Sequence, residues 1–120
     1  MSYTIYFWMG IGGALGSMIR GGMNRLLPFH VDAFSWSTFL VNMTGCLFIG
    51  FLWLKLDSDS QKAFWVTGVL GGLTTFSGLG LELTRYLNEK NYNLAVIYGI
   101  TSLILGIFLV WLGQKLASYF

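Results

Sequence analysis

Within long apolar runs, a small set of polar residues stands out: Arg20, Asn42, Thr74, Thr75, Ser77, Glu82, Tyr98 and Ser102. A polar group in hydrocarbon is costly unless it is hydrogen-bonded, so each is expected to face protein, a polar path or the membrane boundary. Arg20 can snorkel to the interface, or it can stand in a water-filled vestibule and attract anions. The Asn42 amide can bond a neighbouring helix or donate its NH2 to an anion. Glu82 is the one acid inside the apolar windows, and it can pair with an arginine or lie near the interface. Tyr98, Ser102 and Gly106 are four apart and share one helix face. That stripe can line a path, or its hydroxyls can bond other helices.

The stretch Gly71-Gly72-Leu73-Thr74-Thr75-Phe76-Ser77-Gly78-Leu79-Gly80 is poor material for an unbroken helix. Each glycine costs about 1 kcal/mol relative to alanine. A break in mid-membrane is expected, where freed carbonyls can hold a small cation such as sodium. The alternative is an intact, closely packed helix whose Ser and Thr hydroxyls bond back to its own carbonyls. In Gly10-Ile11-Gly12-Gly13-Ala14-Leu15-Gly16-Ser17, the spacing of Gly12 and Gly16 fits a small-xxx-small seam for helix packing in lipid.

These residues need elements to position them, and composition says what kind. The chain has 120 residues, 55% hydrophobic and 10% charged, against roughly 25% charged in ordinary soluble domains. A bilayer core needs about 20 apolar residues per helix, and four windows qualify, at about 3–23, 37–55, 64–86 and 94–116. Five Trp, six Tyr and ten Phe suit the interfacial belts of such a protein, with Trp8, Trp36, Trp53, Trp65 and Trp111 near run ends. The first connection holds Asn24, Arg25, Pro28, His30 and Asp32, and the second Asp57, Ser58, Asp59 and Lys62. The third is Asn88, Glu89, Lys90 and Asn91. Connections this short make consecutive spans antiparallel, and Ser35 or Ser37 is placed to cap the second helix. The expected fold is a single all-α domain over residues 1–120 with four transmembrane helices.

Lys and Arg counts set membrane orientation. The side with both termini carries Lys55, Lys62 and Lys115, and the other carries Arg20, Arg25, Arg85 and Lys90. The near balance leaves two options: context beyond this count decides, or copies insert both ways and pair as an antiparallel dimer. Four helices this short leave little room for an internal aqueous path, which favours the dimer.

Several classes fall away. The net charge of +2 is small and scattered, which argues against nucleic acid. The lone Cys46 forms no disulfide framework and reads as a small buried hydrophobe. His30 stands in a loop without a nucleophile or metal pattern, so enzyme chemistry has no support. The start of the chain lacks the basic region of a cleavable signal, so the first apolar run is expected to be retained.

Taken together, Gly12-Gly13-Ala14-Leu15-Gly16-Ser17-Met18-Ile19-Arg20, Thr38-Phe39-Leu40-Val41-Asn42-Met43-Thr44-Gly45, and Gly71-Gly72-Leu73-Thr74-Thr75-Phe76-Ser77 with Glu82 resemble the CrcB/Fluc family of fluoride channels. The likeness covers most of the chain. It implies an antiparallel, dual-topology dimer with two narrow pores that passively exports fluoride across the plasma membrane, in a bacterium the inner membrane. It places Arg20 in the vestibule and Asn42, Phe76, Ser77, Tyr98 and Ser102 along the pore. It gives the main-chain carbonyls of Gly71 and Thr74 to a structural sodium ion at the dimer centre, where the third helices break and cross. Such a pore would replace fluoride's hydration with neutral donors and the positive edges of aromatic rings, which do not hold the ion too tightly. A negative cell interior drives an anion outward by about 2.3 kcal/mol per 100 mV, so no pump is needed.

Two positions depart from the family pattern. Leu79 stands where the family has its second pore phenylalanine, and Gly106 where many relatives have serine. Some members of the family pair two related chains, so the alternative is a non-conducting or partner subunit of a heterodimer. A packing-only membrane subunit would not need Asn42, Thr74, Thr75, Ser77, Tyr98 and Ser102. Small multidrug-resistance pumps, also of four spans, need an acid in the first span, and 3–23 has none.

Overall fold

A computed structural model describes residues 2–120, and the regular structure among them is entirely helical. Helix α1 covers Thr4–Leu26, α2 Trp36–Lys55, α3 Asp59–Asn88 and α4 Tyr92–Tyr119. By length and composition α2, α3 and α4 are able to cross a membrane, with mean hydropathies of 1.6, 1.3 and 2.3. Helix α1 has the length, 23 residues, but its glycines and two arginines dilute its apolar character. Three helices, where four were expected, therefore meet that requirement. Each helix overruns its expected window, because a helix need not stop where hydrocarbon does. Asn24 and Arg25, expected in a connection, complete the last turn of α1.

The main packing partners are not sequence neighbours: α1 lies along the first half of α3, and α2 along α4. Both seams are built on glycine, because in lipid the attraction between helices comes from close packing and hydrogen bonds. Gly12 and Gly16 are the buried residues of α1. A Cβ on either would overlap α3 backbone, at Phe64 O and Val69 O respectively. A Cβ on Gly68 would in turn lie 2.9 Å from the Gly12 Cα. Along this seam α3 widens into π-helical turns over Ala63–Leu70. In the second seam a Cβ on Gly113 would lie 2.8 Å from Phe51 N.

Two apolar clusters tie the helices together. Phe39, Met43, Tyr86, Ala95 and Tyr98 form one, with Leu79 and Leu83 against it. Val41, Leu70 and Leu73 form the other. The α1–α2 connection is strapped over the first cluster: the Tyr86 hydroxyl donates to Ala33 O at 2.6 Å, and Asn91 Nδ2 to Val31 O at 2.9 Å. The five tryptophans are 41–54% exposed, as rings at a membrane boundary are.

Candidate functional site

Three residues of α2, Thr38, Asn42 and Gly45, recur at the spacing of one helix face; Asn42 and Gly45 meet the middle of α3 and Thr38 meets Glu82 in its second half. Opposite them Thr74 and Thr75 have extended backbone, with φ/ψ of −86°/153° and −150°/117°, between the helical segments ending at Leu73 and starting at Phe76. Asn42 grips this point twice. Its Oδ1 accepts from Thr75 N at 2.8 Å, and its Nδ2 donates to Thr75 O at 3.2 Å. Gly45 leaves the space that the Thr74 methyl fills. Thr38 and Ser35 both donate hydroxyls to the buried Glu82 carboxylate.

Backbone groups away from water must be paired, so the partners exchanged here can be followed one by one. In a continuous helix Thr75 N would donate to Gly71 O, yet it donates to Asn42. Gly78 N would donate to Thr74 O, yet it donates to Thr75 Oγ1 at 2.9 Å, an N-terminal cap for the second half of α3. Gly72 O receives Arg20 Nε at 2.9 Å. Thr74 N and Thr74 Oγ1 both donate back to Leu70 O, at 3.0 and 2.8 Å. The carbonyls whose helical donors are diverted to side-chain acceptors are thus those of Gly71 and Thr74. A donor set of neutral carbonyl oxygens suits a hard cation such as sodium. No group of His, Cys, Asp or Glu able to hold a metal occurs among the described residues.

Beside this point runs an open groove of about 590 Å³ lined by α2, α3 and α4. Asn42, Gly71, Thr74, Phe76, Leu79 and Ser102 all contribute to its wall, and no charged residue does. The Ser102 hydroxyl is buried without a hydrogen-bond partner. Phe76, in the first turn of the second half of α3, is 85% exposed. A Cβ at Gly106, also in the wall, would meet Cys46 Sγ at 3.4 Å and Met43 Cε at 3.5 Å, so a small side chain has room there.

The remaining candidates stand apart from the groove wall. Ser77 is exposed, its hydroxyl 3.2 Å from that of Thr75. Tyr98 is fully buried in the first cluster, with its hydroxyl unpartnered. Tyr98, Ser102 and Gly106 do share the buried face of α4. Glu82 pairs with no arginine among the described residues; it is 7% exposed and held by hydroxyls. Ser35 is the N-cap residue of α2, but its hydroxyl goes to Glu82 rather than to its own helix. Ser37 donates to Asn24 Oδ1 at 2.6 Å. Sequence reasoning missed the Ser35–Glu82–Thr38 contact and the seat of Thr74 on Gly45. The spacing of Thr38, Asn42 and Gly45 was the available signal.

Residues 7–114 match the family model described as CrcB-like protein, Camphor Resistance (CrcB). A Helicobacter pylori protein named fluoride-specific ion channel FluC is 39% identical over an alignment that covers 97% of this chain and 95% of the relative. A Helicobacter acinonychis protein of the same name is 37% identical, with 97% of each chain covered. The Brucella melitensis protein named fluoride-specific ion channel FluC 1 is 36% identical over 92% of this chain and 96% of its own. With its long apolar helices, the chain is a multi-pass membrane protein. The matched span takes in every residue of the groove wall from Asn42 to Val110, and the chain belongs to the CrcB family.

Proposed function

We propose that this chain is a subunit of a passive, fluoride-selective channel that carries fluoride out of the cytoplasm and so limits its toxicity. The observation that carries the reading is the groove: Asn42, Ser102 and Phe76 offer amide, hydroxyl and ring surface there, with no charged residue in the wall. Neutral donors and ring edges can replace the hydration of a small anion without trapping it. The names of relatives 36–39% identical over nearly the whole chain point the same way.

The working unit in this reading is an antiparallel, dual-topology dimer in the cell membrane, with α1 as a fourth crossing and the interrupted part of α3 at mid-membrane. A groove open along one side and a phenylalanine 85% exposed beside it both call for a covering surface, which a second copy supplies. Gly71 and Thr74 would hold a sodium ion through their carbonyls and so fix the two copies together. Arg20, whose Nε is bonded to Gly72 O, would in this reading belong to the vestibule and raise the local anion concentration.

The test is fluoride release from liposomes that contain only this chain, followed with a fluoride electrode. The expected result is rapid fluoride efflux with chloride retained. Release no faster than from empty vesicles would overturn the reading, and rescue by a co-expressed relative would favour the heterodimer instead.

A further inference from the structure

We infer that Asn42 is a positioning residue for the cation site, because its side chain takes the Thr75 amide hydrogen that the Gly71 carbonyl would otherwise receive. This rests on the sodium site proposed above and deepens it. Asn42 is on α2 and contributes no main-chain ligand, so its effect runs through Thr75. The Thr75 amide has two possible acceptors: Gly71 O, four residues back along the helix, or Asn42 Oδ1, which it meets at 2.8 Å. An amide hydrogen cannot serve both well. Removing Oδ1 leaves Gly71 O as the acceptor for that hydrogen, and a carbonyl that accepts it is no longer free for a cation.

The second contact locks the choice. Asn42 Nδ2 donates to Thr75 O at 3.2 Å, so rotation of the amide by a half turn would set donor against donor at Thr75 N. An asparagine amide has two N–H donors. One is used at Thr75 O, and the second remains for the groove that Asn42 lines. One side chain therefore serves two purposes: its oxygen shapes the cation ligands, and its spare N–H is available to an anion. The two are separable by substitution. Aspartate keeps the acceptor for Thr75 N and loses both donors, whereas leucine loses everything.

The experiment measures sodium binding and needs no flux. Thermal unfolding of the purified full chain in detergent is followed against sodium chloride, with N-methylglucamine chloride holding ionic strength constant. Residues behind metal ligands commonly change affinity by about 10- to 100-fold. Asn42→Leu is expected to weaken the apparent sodium affinity by about tenfold or more. Asn42→Asp is expected to bind sodium no more than about threefold more weakly than wild type while losing fluoride flux. A folded Asn42→Leu that binds sodium as wild type does would overturn the inference. Should Asn42→Leu fail to fold, Asn42→Asp decides: tenfold weaker sodium binding overturns it, and retained binding supports it. Wild type with no sodium response overturns it together with the sodium site. Liposome efflux by wild type judges the channel reading separately.

Discussion

The methyl group of Thr74 rests on Gly45 so closely that a Cβ at position 45 would overlap it. Thr74 is not free to turn away, because its hydroxyl donates to Leu70 O at 2.8 Å. Gly45→Ala is therefore expected to destabilise the protein by about 1–3 kcal/mol, the usual cost of overpacking. Thr74→Ser removes the methyl and keeps the hydroxyl, so the double variant Gly45→Ala with Thr74→Ser should regain most of the loss. Reversible unfolding in mixed detergent micelles measures both. Strictly additive losses would mean that the two residues are not coupled.

Glu82 is a carboxylate deep in the bundle with two hydroxyls aimed at it. Removing one donor leaves a buried acceptor short of a partner, which costs about 1–3 kcal/mol and more where the group is charged. Thr38→Val should therefore destabilise by at least that amount, although it conserves volume. In a Glu82→Gln background the same substitution should cost less, because a neutral amide is cheaper to leave unpaired. An equal cost in both backgrounds would show that Thr38 acts through packing alone.

Neither contact was legible in the sequence. The glycine content of 71–80 weakens a helix everywhere along it, but glycine is only permissive. The residues that take extended backbone are Thr74 and Thr75, and what holds them is an amide 33 positions earlier in the chain. Period and composition cannot encode a partner that distant; only the recurrence of Thr38, Asn42 and Gly45 along one face hints that α2 addresses a single groove. The packing role of Gly12 and Gly16 was legible because their spacing of four is itself the seam. Helix α1 was harder to judge, since the same glycines that make the seam lower its hydropathy. Glu82 could not be placed from sequence, as an acid in an apolar window has the same spelling whether it meets an arginine, water or two hydroxyls.

The seam of α1 offers an internally controlled test. A Cβ at Gly16 would overlap Val69 O and come within 2.8 Å of Leu73 N, and both are backbone atoms that cannot swing aside. Gly22, nearer the end of the same helix, has nothing within 4 Å. Gly16→Ala should lower stability by more than about 2 kcal/mol by forcing α1 off α3. Gly22→Ala should leave stability unchanged or raise it by up to about 1 kcal/mol, since alanine is the better helix former. Comparable losses from both would point to a general intolerance of α1 rather than to the contact with α3.

Leu79 faces two ways, packing on the Phe39 and Tyr98 cluster while lining the groove. The resemblance read from the sequence implies a phenylalanine here, whose ring edge would present positive charge density to an anion, and leucine has no such edge. Leu79→Phe should therefore raise the initial rate of fluoride efflux, measured at equal protein per liposome. The larger ring must find space, at a cost of about 1–3 kcal/mol if the cluster cannot yield. Met43, a neighbour in both the cluster and the groove wall, is the side chain best able to move. A faster rate with chloride still excluded would show that the ring has turned into the groove and joined Phe76 along the path. An unchanged rate in a well-folded variant would place position 79 with the core, and the pore would then depend on Phe76 as its aromatic surface.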